Sequence, residues 1–256
     1  MPMKIRIRVL KQILECVMVI ILMTGTAAAD ETSTLFHKGV KNYNSGDFKA
    51  AVSDFSEIVN RGIVNGKLFY DLGNAYLKNN DIGHAILWYQ RAFKLIPNDP
   101  DLKFNYNVAL SRVKDIPPDN RHPILKIIFF WQYLLSRFAT QWVGVLLNVI
   151  FWIVLTLQLI FRKNTFKWIR SMILPVLMII LLTASFNYYD DTYDKQAVII
   201  PPEISVRSGL SDDATELFAL HAGSQVHVDT EKDGFLKIRF SKDKIGWIKK
   251  ADAQVI

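Results

Sequence analysis

The chain has 256 residues, half of them hydrophobic, and a formal charge of +7. A charge of that sign invites a nucleic-acid partner, but its placement argues against one. Residues 1–29 carry Lys4, Arg6, Arg8 and Lys11 against Glu15, and residues 162–170 carry Arg162, Lys163, Lys167 and Arg170 with no acid. These surpluses of three and four account for the whole +7, so no soluble basic face is left to meet phosphates. The single cysteine, Cys16, follows Leu14 and Glu15, which do not fit a lipid-attachment site. If the segment around it is cleaved, disulfides, a thiolate nucleophile and Cys-ligated metals are all excluded.

Residues 1–29 read as a secretory signal, with a basic start, an apolar core over 13–23 and small residues Ala27, Ala28 and Ala29 before Asp30. The core is shorter than the roughly 20 residues a spanning helix needs, which favours cleavage over an uncleaved anchor. Residues 32–115 then repeat themselves. Gly39 returns as Gly73, Asp47 as Asp81, Ala51 as Ala85 and Phe55 as Tyr89, each 34 positions on. A fixed period of this length marks stacked supersecondary units. The second unit carries Phe69, Leu72, Gly73, Tyr76, Ala85, Tyr89, Ala92 and Pro97, and in this it resembles the tetratricopeptide repeat. Small residues let paired helices approach, aromatics fill the space beside them, Asn80-Asp81 turns the chain and Pro97 ends the second helix. The first unit departs from the pattern at Asn42, where a tyrosine is usual, and at Ile58, where an alanine is usual. A third start over 100–114 has no second helix and is expected to cover the open end of the stack.

Residues 115–123 hold three prolines and read as a linker. Residues 124–138 are apolar but interrupted by Lys126, Gln132 and Arg137, and are expected to lie in a membrane interface with Trp131 and Tyr133 at headgroup level. Two charge-free runs, 142–161 and 171–189, are each long enough to span a bilayer. Between them lies the basic stretch 162–170, expected as a cytoplasmic loop; the repeats and the tail then face the outer side of a bacterial inner membrane, the periplasm. From 195 to 256 short β-rich runs alternate with turn signals. Val206-Arg207-Ser208-Gly209, Gly223 with Val226 and Val228, Asp233-Gly234-Phe235 and Ile245-Gly246-Trp247-Ile248 resemble the bacterial SH3-like domains. The fold class expected is a multidomain α plus β membrane protein: a tetratricopeptide solenoid, a transmembrane helical hairpin and a small SH3-like β-barrel.

No catalytic pattern emerges. His37, His84, His122, His221 and His227 lack the paired spacing of a zinc site, and no nucleophile elbow or glycine-rich phosphate loop is present. Asp190, Asp191 and Asp194 lack the twelve-residue calcium pattern and read as a solvated membrane exit. Neither an enzymatic activity nor a cofactor is expected. The concave face of the repeats is the expected binding surface. By family position it includes Tyr43, Tyr70, Asn74, Lys78, Phe104 and Arg112, a mixture suited to an extended peptide with carboxylates. The tail has nine basic and nine acidic residues from Lys195 onward, hence no single-sign field for an anionic polymer. The whole order (signal, repeats, interfacial helix, two spans, SH3-like tail) resembles the Bacteroides aerotolerance (Bat) operon proteins. That resemblance implies a stress-tolerance complex in the inner membrane, with von Willebrand factor A-type membrane proteins and a MoxR-type ATPase as partners. Two functions remain open: a protein-binding scaffold, or a peptidoglycan-binding module acting through the tail.

Overall fold

The computed structural model describes residues 28–117, 136–161, 164–193 and 195–256. The expected signal at 1–29 and interfacial helix at 124–138 thus lie almost wholly outside the described residues. The chain divides into two compact units, Met1–Ile63 and Val64–Ile256. The first holds helices α1 (Ala28–Asn44) and α2 (Phe48–Asn60). The second holds α3 (Gly66–Lys78), α4 (Ile82–Leu95), α5 (Pro100–Leu110), the long helices α6 (Arg137–Phe161) and α7 (Asn164–Tyr193), and a β-sheet over 196–255.

The 34-residue period reappears bond for bond within the two helix pairs. At the end of α1 the amides of Ser45, Gly46 and Asp47 donate to the carbonyls of Lys41, Tyr43 and Asn42. At the end of α3 the amides of Asn79, Asn80 and Asp81 donate to those of Ala75, Leu77 and Tyr76, the same pattern displaced by one period. The turn requires a left-handed residue, supplied by Gly46 (φ 84°) in one pair and Asn80 (φ 61°) in the other. Asp47 and Asp81 then cap α2 and α4, accepting from the amides of Ala50 and His84 at 3.0 and 3.1 Å. Across each pair a glycine faces an aromatic ring. A Cβ on Gly39 would fall 2.6 Å from the Phe55 ring, and one on Gly73 2.7 Å from the Tyr89 ring. The departure at Asn42 has a local reason as well. Its α2 carries a buried Asp54, which accepts hydrogen bonds from Lys38 Nζ and Asn42 Nδ2, both at 2.7 Å. A tyrosine at 42 would leave that carboxylate short of a donor. In the second pair the corresponding Tyr76 stacks on His84.

Helix α5 starts at Pro100, where the missing amide costs nothing, and is capped by Asp99 accepting from Leu102 at 2.9 Å. It packs on α3 and α4 through Leu102 and Ala109.

Helices α6 and α7 form an antiparallel pair. Their apolar stretches, Ala139–Leu159 and Asn164–Tyr189, are long enough to cross a bilayer, and only 11% of the most apolar part of each is buried in the fold. On α6 the less exposed residues recur at 140, 144, 147, 151, 154 and 158, the alternating four-and-three spacing of a helix seam. Gly144 lets Ile180 approach to within 3.0 Å of where its Cβ would be. From residue 164 the basic stretch 162–170 is not the loop expected, and residues 162–163 lie outside the described residues. Residues 164–170 are the first turns of α7, because nothing there breaks a helix and positive charge alone does not. Pro175 is accommodated inside the same helix. At its other end α7 runs on through Tyr193, so Asp190 and Asp191 belong to its last turn and two residues separate it from the sheet.

The sheet comprises β1 (Gln196–Ile199), β2 (Glu203–Arg207), β3 (Glu216–His221), β4 (Gln225–Lys232), β5 (Phe235–Arg239), β6 (Ile245–Lys249) and β7 (Ala253–Val255). All neighbours are antiparallel, in the order β3-β2-β6-β5-β4-β1-β7. The ladder is open, with β3 and β7 at its edges, where the sequence led to the expectation of a closed barrel. Strand β3 (ELFALH) has no polar–apolar alternation, and β7 is three residues long, so neither is legible as a strand. Between β4 and β5, Asp233 (φ 50°) and Gly234 (φ 79°) form the two-residue turn that suits the right-handed strand twist. One face buries Ile199, Ile204, Val206, Leu220, Val226, Leu236, Ile238 and Ile248.

Gly73→Ala is expected to lower stability by about 1–3 kcal/mol, because its methyl must displace a fully buried ring. Thermal unfolding of the detergent-purified chain reads the loss, and an unchanged melting temperature would show that the pair has slack.

Candidate protein-binding site

The face shared by α3 and α5 is organised around a buried amide. Asn74 Oδ1 accepts from Tyr89 OH at 2.6 Å and from Asn105 Nδ2 at 2.8 Å. Asn105 Nδ2 also lies 2.9 Å from Tyr70 OH. Tyr70 tilts against Tyr89, and Lys67 lies over its ring while also bonding Asp99. Three positions along this face, Tyr70, Asn74 and Asn105, thus brace the helices against one another. Asn74 is buried, so its side chain is spent on packing. Asn105 enters the network 31 residues away from Asn74, and no local pattern signals it.

The other expected site residues are placed differently. Lys78 is exposed in the last turn of α3. Phe104 on α5 is 68% exposed, an unusual position for a large ring. Arg112 is exposed in the turn that follows α5. Tyr43 belongs to the first unit, where it packs edge-on against Phe48 at 5.4 Å. On α3, burial pushes the Asp71 carboxyl up to about 6, against the opposing pull of Lys67. Lys67 and the Leu102 amide hold the Asp99 carboxyl below its ordinary range.

The opposite face of α4 receives the tail. Gly83 sits against β1, where a Cβ would lie 2.8 Å from the Ile200 carbonyl oxygen and 2.9 Å from its Cα. The equivalent residue one period earlier is Lys49, so the glycine is a departure that makes room for a strand. Gly223 (φ 85°) in the β3–β4 turn touches Val113, Ile82 and Ile86. Beyond this lies a polar ring: Gln90 Nε2 to Tyr106 OH at 2.7 Å, Gln90 Nε2 to Gln225 Oε1 at 3.0 Å, and Gln225 Nε2 to Tyr106 OH at 2.8 Å. Arg91 and Lys94 donate to the main-chain oxygens of Val255 and Ile256 at 2.8 and 3.0 Å.

A second polar contact closes the same interface. Asp115 Oδ2 accepts from the His221 amide at 2.9 Å and lies 2.8 Å from His221 Nδ1. Glu203 stands 3.7 Å from His221 Nε2. Ser224 Oγ donates to the His221 carbonyl at 2.7 Å, and the ring nitrogen that would need to face it is turned to Glu203, so serine and histidine do not form a nucleophile–base pair. Nothing in the local sequence around His221 signals this contact, since its partner lies 106 positions away. Burial would raise the Asp115 carboxyl, but the His221 ring and amide outweigh it and hold the group below its ordinary range. Among the described residues, no three His, Cys, Asp or Glu side chains cluster as a metal site.

A carboxyl held low in the folded state stabilises above its unfolded pKa of about 3.9 and loses that contribution as pH falls through the folded value. Asp115→Asn should therefore lower stability by no more than about 1 kcal/mol at pH 7, because the pair is only partly buried and the new amide still accepts from the His221 main chain. The difference from the parent should shrink below about pH 4. Melting curves at pH 7 and pH 3 check this, and an equal gap at both would remove the charge from the account.

The family model of the tetratricopeptide repeat matches residues 66–99, the stretch from the start of α3 to the cap of α5. A comparison with curated proteins finds no match. The chain thus carries a tetratricopeptide repeat over 66–99, a motif of protein–protein interaction rather than of catalysis.

Proposed function

We propose that this chain is a membrane-anchored scaffold: α6 and α7 cross a bacterial inner membrane, and the helix pairs outside it hold an extended segment of a partner protein, with no reaction of its own. The observation that carries this reading is the tetratricopeptide repeat at 66–99 joined in one chain to two apolar helices that the fold leaves uncovered. Exposed residues that could meet such a partner are Lys78 on that repeat, Phe104 on α5 and Arg112 just after it, a set that suits an apolar residue flanked by carboxylates. Tyr70 and Asn74 belong to the same expected face by family position. Twenty residues of helix separate Trp168 from Tyr188, about 30 Å, which matches aromatic belts at two interfaces.

Two arguments support one orientation. The contact of α4 with β1 needs the segments before α6 and after α7 to lie on one side of the membrane. The basic residues at 162–170 lie at the hairpin's other end and favour the cytoplasm. The tail's motifs, its Asp233-Gly234 turn and its closely packed Gly246 support an SH3-like relationship despite the open ladder. On the order of its parts we assign the chain to the Bat operon proteins, as the E member of the Bacteroides aerotolerance operon. It would serve oxidative or envelope stress tolerance beside von Willebrand factor A-type membrane proteins and a MoxR-type ATPase. The even charge of the tail favours a protein partner over peptidoglycan.

Crosslinking in intact membranes, followed by purification, should recover defined membrane proteins with the parent chain and lose them with Phe104→Ala plus Arg112→Glu. Both residues are exposed, so the fold should survive. Recovery unchanged by the double variant, with the isolated chain sedimenting on purified sacculi instead, would favour the cell-wall reading. In a Cys16→Ser background, an impermeant maleimide applied from the periplasmic side should label Ser53→Cys and Lys242→Cys but spare Asn164→Cys. Labelling of Asn164→Cys alone would invert the topology.

A further inference from the structure

Near the middle of the lipid-facing side of α6 stands a group that hydrocarbon does not tolerate. Asn148 is the tenth of the 21 residues of the span Ala139–Leu159, one position from its midpoint. It is exposed, and among the described residues its side-chain amide has no hydrogen-bond partner. Thr156, two turns on, answers its own need by donating to the Trp152 carbonyl at 2.9 Å. An asparagine side chain cannot do so as readily, and an unpaired amide at the bilayer centre is strongly unfavourable. Next to it stands Trp152, 58% exposed close to mid-depth although tryptophan favours the membrane surface. Asn148, Val149, Trp152, Ile153, Thr156 and Leu157 line one shallow groove on this helix.

The surroundings of Asn148 have the pattern of a helix-pairing seam. The seam of α6 against α7 runs through 140, 144, 147, 151, 154 and 158. A second row, displaced by one residue, runs through Gln141, Val145, Asn148, Trp152, Leu155 and Leu159 with the same spacing. Its members Val145, Trp152 and Leu159 are exposed, so α7 does not use it. An asparagine within such a seam sets register and favours a parallel pair. Copies of one chain inserted the same way meet with α6 parallel to α6. A two-fold axis along the membrane normal then brings each Asn148 to the same depth as its counterpart. A primary amide both donates and accepts, so the two close on each other with two N–H···O bonds.

We propose that this protein dimerises in the membrane through α6, a second copy covering the seam from Gln141 to Leu159 with the two Asn148 amides hydrogen-bonded at its centre. The proposal rests on the reading that α6 spans the membrane. Full-length chains carrying Cys16→Ser and single cysteines at 144–153 would be oxidised in native membranes and separated without reductant. Disulfide-linked dimers should peak at Val145→Cys, Asn148→Cys and Trp152→Cys and be weak at Leu146→Cys and Ile150→Cys. Adding Asn148→Leu to Val145→Cys should lower dimer yield about fivefold, and Asn148→Gln should retain most of it. Alkaline carbonate extraction of the same membranes separates the two claims. If the protein stays in the pellet but Asn148→Leu leaves the yield unchanged, or the yield shows no period along α6, or the crosslinks go to another protein, dimerisation through Asn148 is wrong while the anchor stands. If carbonate releases the protein, the anchor and the proposal fall together.

Discussion

Each helix pair depends on a backbone approach that only glycine permits. Phe55 and Tyr89 lie where the side chains of residues 39 and 73 would otherwise be. That contact fixes how far α4 stands from α3 and how it is rotated about its axis. Rotation decides the rest of the second unit. It turns Tyr89 inward, where its hydroxyl meets Asn74 and, through Asn105, anchors α5. It also turns Gly83, Ile86, Gln90 and Lys94 outward, as one stripe along α4, and this stripe is what the tail sits on.

The tail covers the face of α4 that carries Gly83, Ile86 and Gln90. Terminal repeats need a polar outer side or a cap, because an open helix face is an exposed hydrophobic surface. Here the cap is a β-strand, and the means of attachment differ from those between helices. The centre of the contact is backbone against glycine at Gly83, and the rim is polar, with Gln90, Tyr106 and Gln225 bonded in a ring. Asp115 adds a hydrogen bond to the edge of β3 at His221, satisfying an edge-strand amide that would otherwise face solvent. The chain reaches this contact only by going through α6 and α7 first, and two residues join α7 to β1. The position of the sheet is therefore tied to the end of a membrane-directed helix as well as to α4.

Much of this was readable in the residues where the signal is local. The 34-residue period exposed the helix pairs, because the turn, the cap and the glycine contact each require particular residues at fixed offsets. Apolar run length exposed α6 and α7. What the concave face touches within the chain was not legible. Family position named Tyr70 and Asn74 for that face, and Asn105, 31 residues from Asn74, hydrogen-bonds to both. Phe104, Lys78 and Arg112 do lie exposed. Residues 164–170 of the basic stretch were expected as a loop and are helical, because charge marks a side of the membrane and says nothing about helix termination.

The sequence by itself determined the helix pairs, the two long apolar helices and most of the strands, though not β3 or β7: period, caps, turns and apolar length act within a few dozen residues, and a single chain displays them directly. The tertiary structure alone decided what those units meet. The pairing of His221 with Asp115, of Gln225 with Gln90 and of Gly83 with Ile200 spans more than a hundred residues in each case. None has a repeat or a spacing to announce it. Such contacts arise from the shapes of already formed surfaces, and the same holds for the edges of the sheet. Whether a ladder closes or stays open depends on how strands lean on α4 and on one another, a global property that alternation within each strand does not encode.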